Sequence, residues 1–196
     1  MNRLIVTCFL FLASSASYAQ EKLVKDLDFD GIQDNVYFDT EKKVIIAKLS
    51  STKFKVISSK PINIEYSSDY GIRSNRNGFE FFINYSRYGS VSQFKFEKKT
   101  NTIRLIGMQH RESGLTEYDA NGEASVNLLL GNYIGNWAYN DVKKENYLIE
   151  IPTIKTKMPF KKIYLTDFSE RIYDSFLSKS SALFVKYKEI AISKQN

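Results

Sequence analysis

Cysteine occurs once in this 196-residue chain, at Cys8, and histidine once, at His110. One cysteine excludes an internal disulfide framework, and one histidine excludes a two-histidine zinc site of the H-E-x-x-H kind. There is no G-x-S-x-G elbow and no glycine-rich phosphate loop. Any Ser-His-Asp arrangement would have to pass through His110, which reads as an exposed residue of a polar loop beside Arg111 and Glu112. Acids such as Asp69, Glu80, Glu112, Glu117 and Asp119 are available for glycosidase-type chemistry, but no spacing pairs them. The chain therefore does not read as an enzyme. No apolar run reaches the roughly 20 residues of a membrane-spanning helix, and no repeat of a 20–50-residue kind is visible. Dense basic runs are missing too. The formal charge is +6, yet the lysines are scattered and alternate with apolar residues, as in Lys53-Phe54-Lys55-Val56. That is the solvated face of strands rather than a nucleic-acid footprint.

What is present begins with an export signal. Arg3 supplies the positive start, Leu4 to Ala13 the short apolar core, and Ser17-Tyr18-Ala19 the small-x-small cleavage pattern. The predicted division is a signal peptide over 1–19 and one β-domain over 20–196. Cys8 leaves with the signal; a lipid anchor there is rejected because Ile5-Val6-Thr7-Cys8 precedes most of the hydrophobic run. The expectation is a periplasmic or secreted protein that is free of the membrane after cleavage and stabilised by core and metal in place of disulfides. With 43% hydrophobic and 14% aromatic residues, a substantial core is within reach.

The most informative stretch follows at once: Asp26-Leu27-Asp28-Phe29-Asp30-Gly31-Ile32-Gln33-Asp34. Carboxylates at loop positions 1, 3, 5 and 9 with glycine at 6 suit a hard cation such as Ca²⁺, which takes about six to eight oxygens. Asp26, Asp28, Asp30 and Asp34, with the carbonyl of Ile32, are the expected ligands. Position 12 holds Tyr37 where an EF-hand requires a bidentate Glu. Four aspartates packed together without a cation would repel one another.

Strand signals dominate the remainder. Apolar-rich segments at 35–39, 43–49, 54–57, 79–85, 91–97, 102–109, 124–130, 133–139 and 147–151 predict strands, separated by polar turns. Segments 67–78 and 110–123 read as long polar loops. Phe168, Ile172, Tyr173 and Phe176 fall at helical spacing, with Asp167 or Thr166 as the expected cap. Leu183 to Ile192 is expected as a strand, because Val185 and Tyr187 alternate with Lys186 and Lys188. The predicted fold is a mainly β, single antiparallel domain (a curved sheet, sandwich or propeller-like unit) with one short helix near the C-terminus.

The two loops supply the candidate recognition residues. Tyr and Arg are enriched at interface hot spots. The first loop carries Tyr70 and Arg73, the second His110, Arg111, Glu112, Ser113 and Tyr118. The alternative is a carbohydrate-binding or cell-surface module with Tyr133, Trp137 and Tyr139 as a sugar platform. The Asp26–Asp34 loop resembles the calcium loops of integrin-type and FG-GAP repeat proteins, present here in a single copy. With the signal and the basic-aromatic β-domain, the chain also resembles periplasmic immunity proteins and periplasmic lysozyme inhibitors, whose S-G-x-x-Y loop enters the enzyme cleft. Ser113-Gly114-Leu115-Thr116-Glu117-Tyr118 places the tyrosine one residue too far along. The resemblance implies an inhibitor of a cell-wall hydrolase or secreted toxin.

Overall fold

The computed structural model describes residues 22–114, 120–141 and 148–194. The predicted signal peptide and Tyr118 lie outside the described residues. The chain is mainly β, with two antiparallel sheets and one C-terminal helix in an open, sandwich-like arrangement.

The first sheet is laid down in chain order by β1 (Lys22–Lys25), β2 (Asp34–Asp39), β3 (Val44–Lys48) and β4 (Val56–Ser58). Alternation along β2 turns Val36 and Phe38 inward. The second sheet is a meander of β5 (Asp69–Asn75), β6 (Gly78–Asn84), β7 (Tyr88–Glu97), β8 (Thr102–Ser113), β9 (Ala120–Asn127) and β10 (Asn132–Asn140). The outer edge of β10 is shared between β11 (Leu148–Glu150) and β12 (Ile154–Lys157). Pro152 separates these two short strands, since it has no N–H to give a ladder.

Both segments expected to be loops are largely strand. Asp69–Asn75 pairs with β6 along its whole length, and the chain reverses over Arg76-Asn77. On the other side, β8 continues through His110, Arg111, Glu112 and Ser113, which face Ala124, Glu123, Gly122 and Asn121 of β9. The backbone ladder needs no apolar side chains, so one solvated face lets a strand read as loop.

The first sheet covers one part of the inner face of the second. Phe38 stacks on Phe81 at 5.0 Å and meets Tyr70 edge-on at 5.5 Å. Lys25 fastens the edge, its Nζ donating to the carbonyls of Asn75 (2.6 Å) and Gly78 (3.2 Å). The helix α1 (Glu170–Ser193) covers another part, over β8 and β10. Phe176, Ser180 and Phe184 are buried at fourfold spacing. Phe184 lies 5.9 Å from Trp137, and Ser180 Oγ is 2.9 Å from Tyr133 Oη, which also accepts from Trp137 Nε1 at 3.0 Å.

Two helical expectations are corrected here. Leu183 to Ile192 is the second half of α1, not a strand. The helical series Phe176, Ser180 and Phe184 continues, at steps of three and four, to Tyr187 and Ala191 against the core, and no Gly or Pro interrupts it. The N-cap is Ser169, while Thr166 and Asp167 belong to a 3-10 turn at Leu165–Asp167.

At the β7–β8 turn, Glu97 accepts from Thr100 Oγ1 (2.7 Å), Arg104 Nη1 (3.0 Å), Tyr164 Oη (3.1 Å) and Lys162 Nζ (3.2 Å). These donors, Thr100 foremost, hold its carboxyl at about 2, below the ordinary 4.5.

Two outcomes check this fold. Phe184→Ala should cost about 3–5 kcal/mol in urea unfolding, whereas Lys186→Ala, exposed and about 200° round the helix from it, should stay within about 0.5 kcal/mol; a strand would put both on one face, so equal costs would contradict a helix there. Glu97 stabilises the folded chain above pH 4.5, and that contribution is lost as the pH falls toward about 2. Glu97→Gln should therefore melt lower at neutral pH and lose less stability than the parent across that interval.

Candidate metal centre

The acidic stretch folds as a tight loop between β1 and β2. Gly31 (φ +87°) and Phe29 (φ +65°) both take left-handed backbone. At Gly31 this conformation, not crowding, disfavours a side chain, because no heavy atom lies within 4 Å of where a Cβ would stand. The reversal lets Asp26 accept from three successive amides: Phe29 N at 2.7 Å and Asp30 N at 3.3 Å on Oδ1, and Gly31 N at 3.0 Å on Oδ2.

One carboxylate oxygen from each of Asp26, Asp28 and Asp34 lies within 4.8 Å of the others. Three of the four expected acidic ligands thus converge. Asp30 stands beside them: its oxygens accept from Ile32 N (2.8 Å) and Ser50 Oγ (2.7 Å). These bonds, Ser50 first, hold its carboxyl below the usual range. Ile32 donates its amide to Asp30 and leaves its side chain exposed.

Asp34 is fully buried, with Oδ2 accepting from Leu27 N (2.7 Å) and Oδ1 from Ser50 N (2.8 Å). Asp28 Oδ2 accepts from Ser51 Oγ at 2.5 Å. Every carboxylate oxygen of the four aspartates has a donor except Asp28 Oδ1, which is buried without a partner. Asp28 is 9% exposed. A buried carboxylate oxygen left unpaired is costly. The Asp28 carboxylate also stands near two further carboxylates, each pair repelling by about 3 kcal/mol at an effective dielectric of about 20. A cation would relieve both penalties, and the three carboxylates could hold a metal ion.

Ser50 and Ser51 were not legible as site residues. They follow β3 and reach the acidic loop only because Asn35 pairs with Lys48 across the β2–β3 ladder. A serine pair after an apolar strand is the sole local signal.

The recognition candidates separate by face. Arg111 is exposed on the outward face of the second sheet, flanked across the ladders by Gly89 and Glu123. Its Nη2 is 3.4 Å from Asn84 Oδ1. A side chain at Gly89 would run into both Asn84 and Arg111, so the glycine opens a dent of about 200 Å³ lined by Arg111, Asn84, Gln109, Glu123 and Asn136. Arg73 shares this outward direction, paired with Glu80 and 5.0 Å over the Phe82 ring. His110 points the other way and is corrected from an exposed loop residue to a buried one. Its ring is 5.5 Å from Trp137, with Nε2 3.4 Å from Glu112 and Nδ1 lacking a partner. Tyr70 likewise packs inward on Phe38. Ser113 donates its amide to the Arg87 carbonyl at 2.8 Å. Tyr133, Trp137 and Tyr139 are all buried, which removes them as a sugar platform.

Compared with protein-family models, curated proteins and solved structures, the chain matches none.

Proposed function

We propose that this is an exported calcium-binding β-protein that acts by binding another protein. The observation that carries the metal reading is Asp28 Oδ1, a buried and unpartnered oxygen on one of three aspartates, Asp26, Asp28 and Asp34, whose carboxylates converge. Calcium would be held by Asp26, Asp28 and Asp34, with Asp30 and the Ile32 carbonyl completing the set. Its work is structural: it would neutralise the loop and stiffen the junction of β1, β2 and the Ser50-Ser51 turn.

The partner reading rests on Arg111, an exposed guanidinium on a paired strand next to the Ser113-Gly114 exit of β8. Its backbone is already held on a ladder, so only the side chain has to be ordered on binding. Acidic clefts of cell-wall hydrolases and secreted toxins of that kind are the complementary surface. The alternative, sugar binding, keeps one support, the amide-rich dent of Asn84, Gln109 and Asn136 beside Arg111.

Calcium at about a hundred times its dissociation constant would add about 2.7 kcal/mol, or about 5–10 °C in melting temperature for a domain of this size. Asp28→Ala should abolish that shift; equal melting of the parent protein with calcium and with chelator would remove the metal. Arg111→Ala should weaken inhibition or capture of a muramidase by about tenfold, with melting unchanged. Full inhibition by that variant, or saturable binding of peptidoglycan sugars in place of the enzyme, would overturn the protein-partner reading.

A further inference from the structure

Between the first turns of α1 and the inner face of the second sheet lies a cavity of about 120 Å³, the room of about four water molecules at ~30 Å³ each. Its walls are apolar where Ile62, Phe81, Ile83, Phe168 and Leu177 meet it. One polar atom inside lacks a partner of ordinary hydrogen-bond geometry. Tyr173 Oη is buried and receives no hydrogen bond, although Ser90 sits beside it. Ser90 and Ser92, both buried, line the same space. A buried hydroxyl without a partner costs about 1–3 kcal/mol unless something in the cavity bonds to it.

The mouth identifies what that something is. Glu170 and Asp174, one helical turn apart and both exposed, line the opening, and neither pairs with a cation among the described residues. In a chain of net charge +6, two unpaired carboxylates beside a cavity concentrate negative potential at one point. Tyr85 and Tyr88, stacked at 4.2 Å, stand at the same opening. Aromatic faces and carboxylates around a small partly apolar space are the surroundings an organic cation prefers to water. Burial pushes the Tyr85 and Tyr173 phenols up, so both remain neutral at pH 7.

We infer that this cavity is a binding site for a small alkylammonium ion, with the Tyr173 oxygen accepting one N–H and the Glu170 and Asp174 carboxylates offsetting its charge. The apolar wall takes a stem of two or three carbons. A metal ion is a poorer fit, because the interior oxygens belong to neutral hydroxyls. An anion is excluded by the acidic rim. The site is separate from the acidic loop and does not depend on calcium there.

Amide-resolved NMR titration of the full protein with propylammonium chloride tests this, with 1-propanol at matched ionic strength as the neutral isostere. The shifts of Ser90, Ser92 and Leu177 should saturate with propylammonium, and 1-propanol should bind about tenfold more weakly or less, a difference of about 1.4 kcal/mol. The double variant Glu170→Gln/Asp174→Asn should weaken propylammonium by about tenfold. Tyr173→Phe should weaken it with little change in the melting temperature of the free protein, since the hydroxyl it removes has only Ser90 beside it and no hydrogen bond of ordinary geometry. Absence of a saturable shift, equal binding of 1-propanol, or undiminished binding by the double variant would overturn the proposal.

Discussion

Asp34 is where the acidic loop and the first sheet become one structure. Its carboxylate is fully buried and spans two segments, taking the Leu27 amide at one oxygen and the Ser50 amide at the other. Charge-assisted bonds of this sort contribute about 1.5–3 kcal/mol each. They also set geometry: with Asp34 fixed, Ser50 and Ser51 fall on Asp30 and Asp28, and the three converging carboxylates have nowhere to relax. The ladder from Asn35↔Lys48 onward is what brings Ser50 to that point. The metal reading, the ordering of β1 and the attachment of Lys25 to the β5–β6 turn all follow from this bridge.

The second sheet divides the remaining candidates with the same economy. Successive residues point to opposite faces, so neighbours along β8 have different fates. His110 goes inward to Trp137, and Arg111 goes outward to Asn84 and Glu123. In β5, Tyr70 joins the core while Arg73 lies over Phe82. Grouping these residues by closeness in sequence treats a segment as one surface, whereas a strand presents two. On the proposed reading, the residues a partner would meet are the outward set, Arg111 and Arg73.

The helix shows how a short window misleads. Over Leu183 to Lys188 an alternation of period two and a helical period fit equally well, and Lys186 and Lys188, alternating with Val185 and Tyr187, favour the strand. Over the full run from Phe176 to Ala191 only the helical spacing of three and four persists. Packing on β8 and β10 then decides, since Phe176, Ser180 and Phe184 fill the inner face that the first sheet leaves uncovered. That same cover creates the small cavity under Tyr173, a feature no local pattern announces.

The mainly β class, most strand positions and the convergence of aspartates were determined by the sequence alone, because they rest on local rules. Alternating side chains mark strands, glycine permits a left-handed reversal, and a tight turn draws closely spaced carboxylates together, three of the four here. What only the tertiary structure decided was which groups face each other from distant segments. Ser50 and Ser51 beside the aspartates, His110 beneath Trp137, and the carboxylates of α1 at the rim of a cavity in the sheet are such meetings. Each depends on strand register and helix packing, and these are set by the burial of the whole core rather than by any residue's neighbours in the chain.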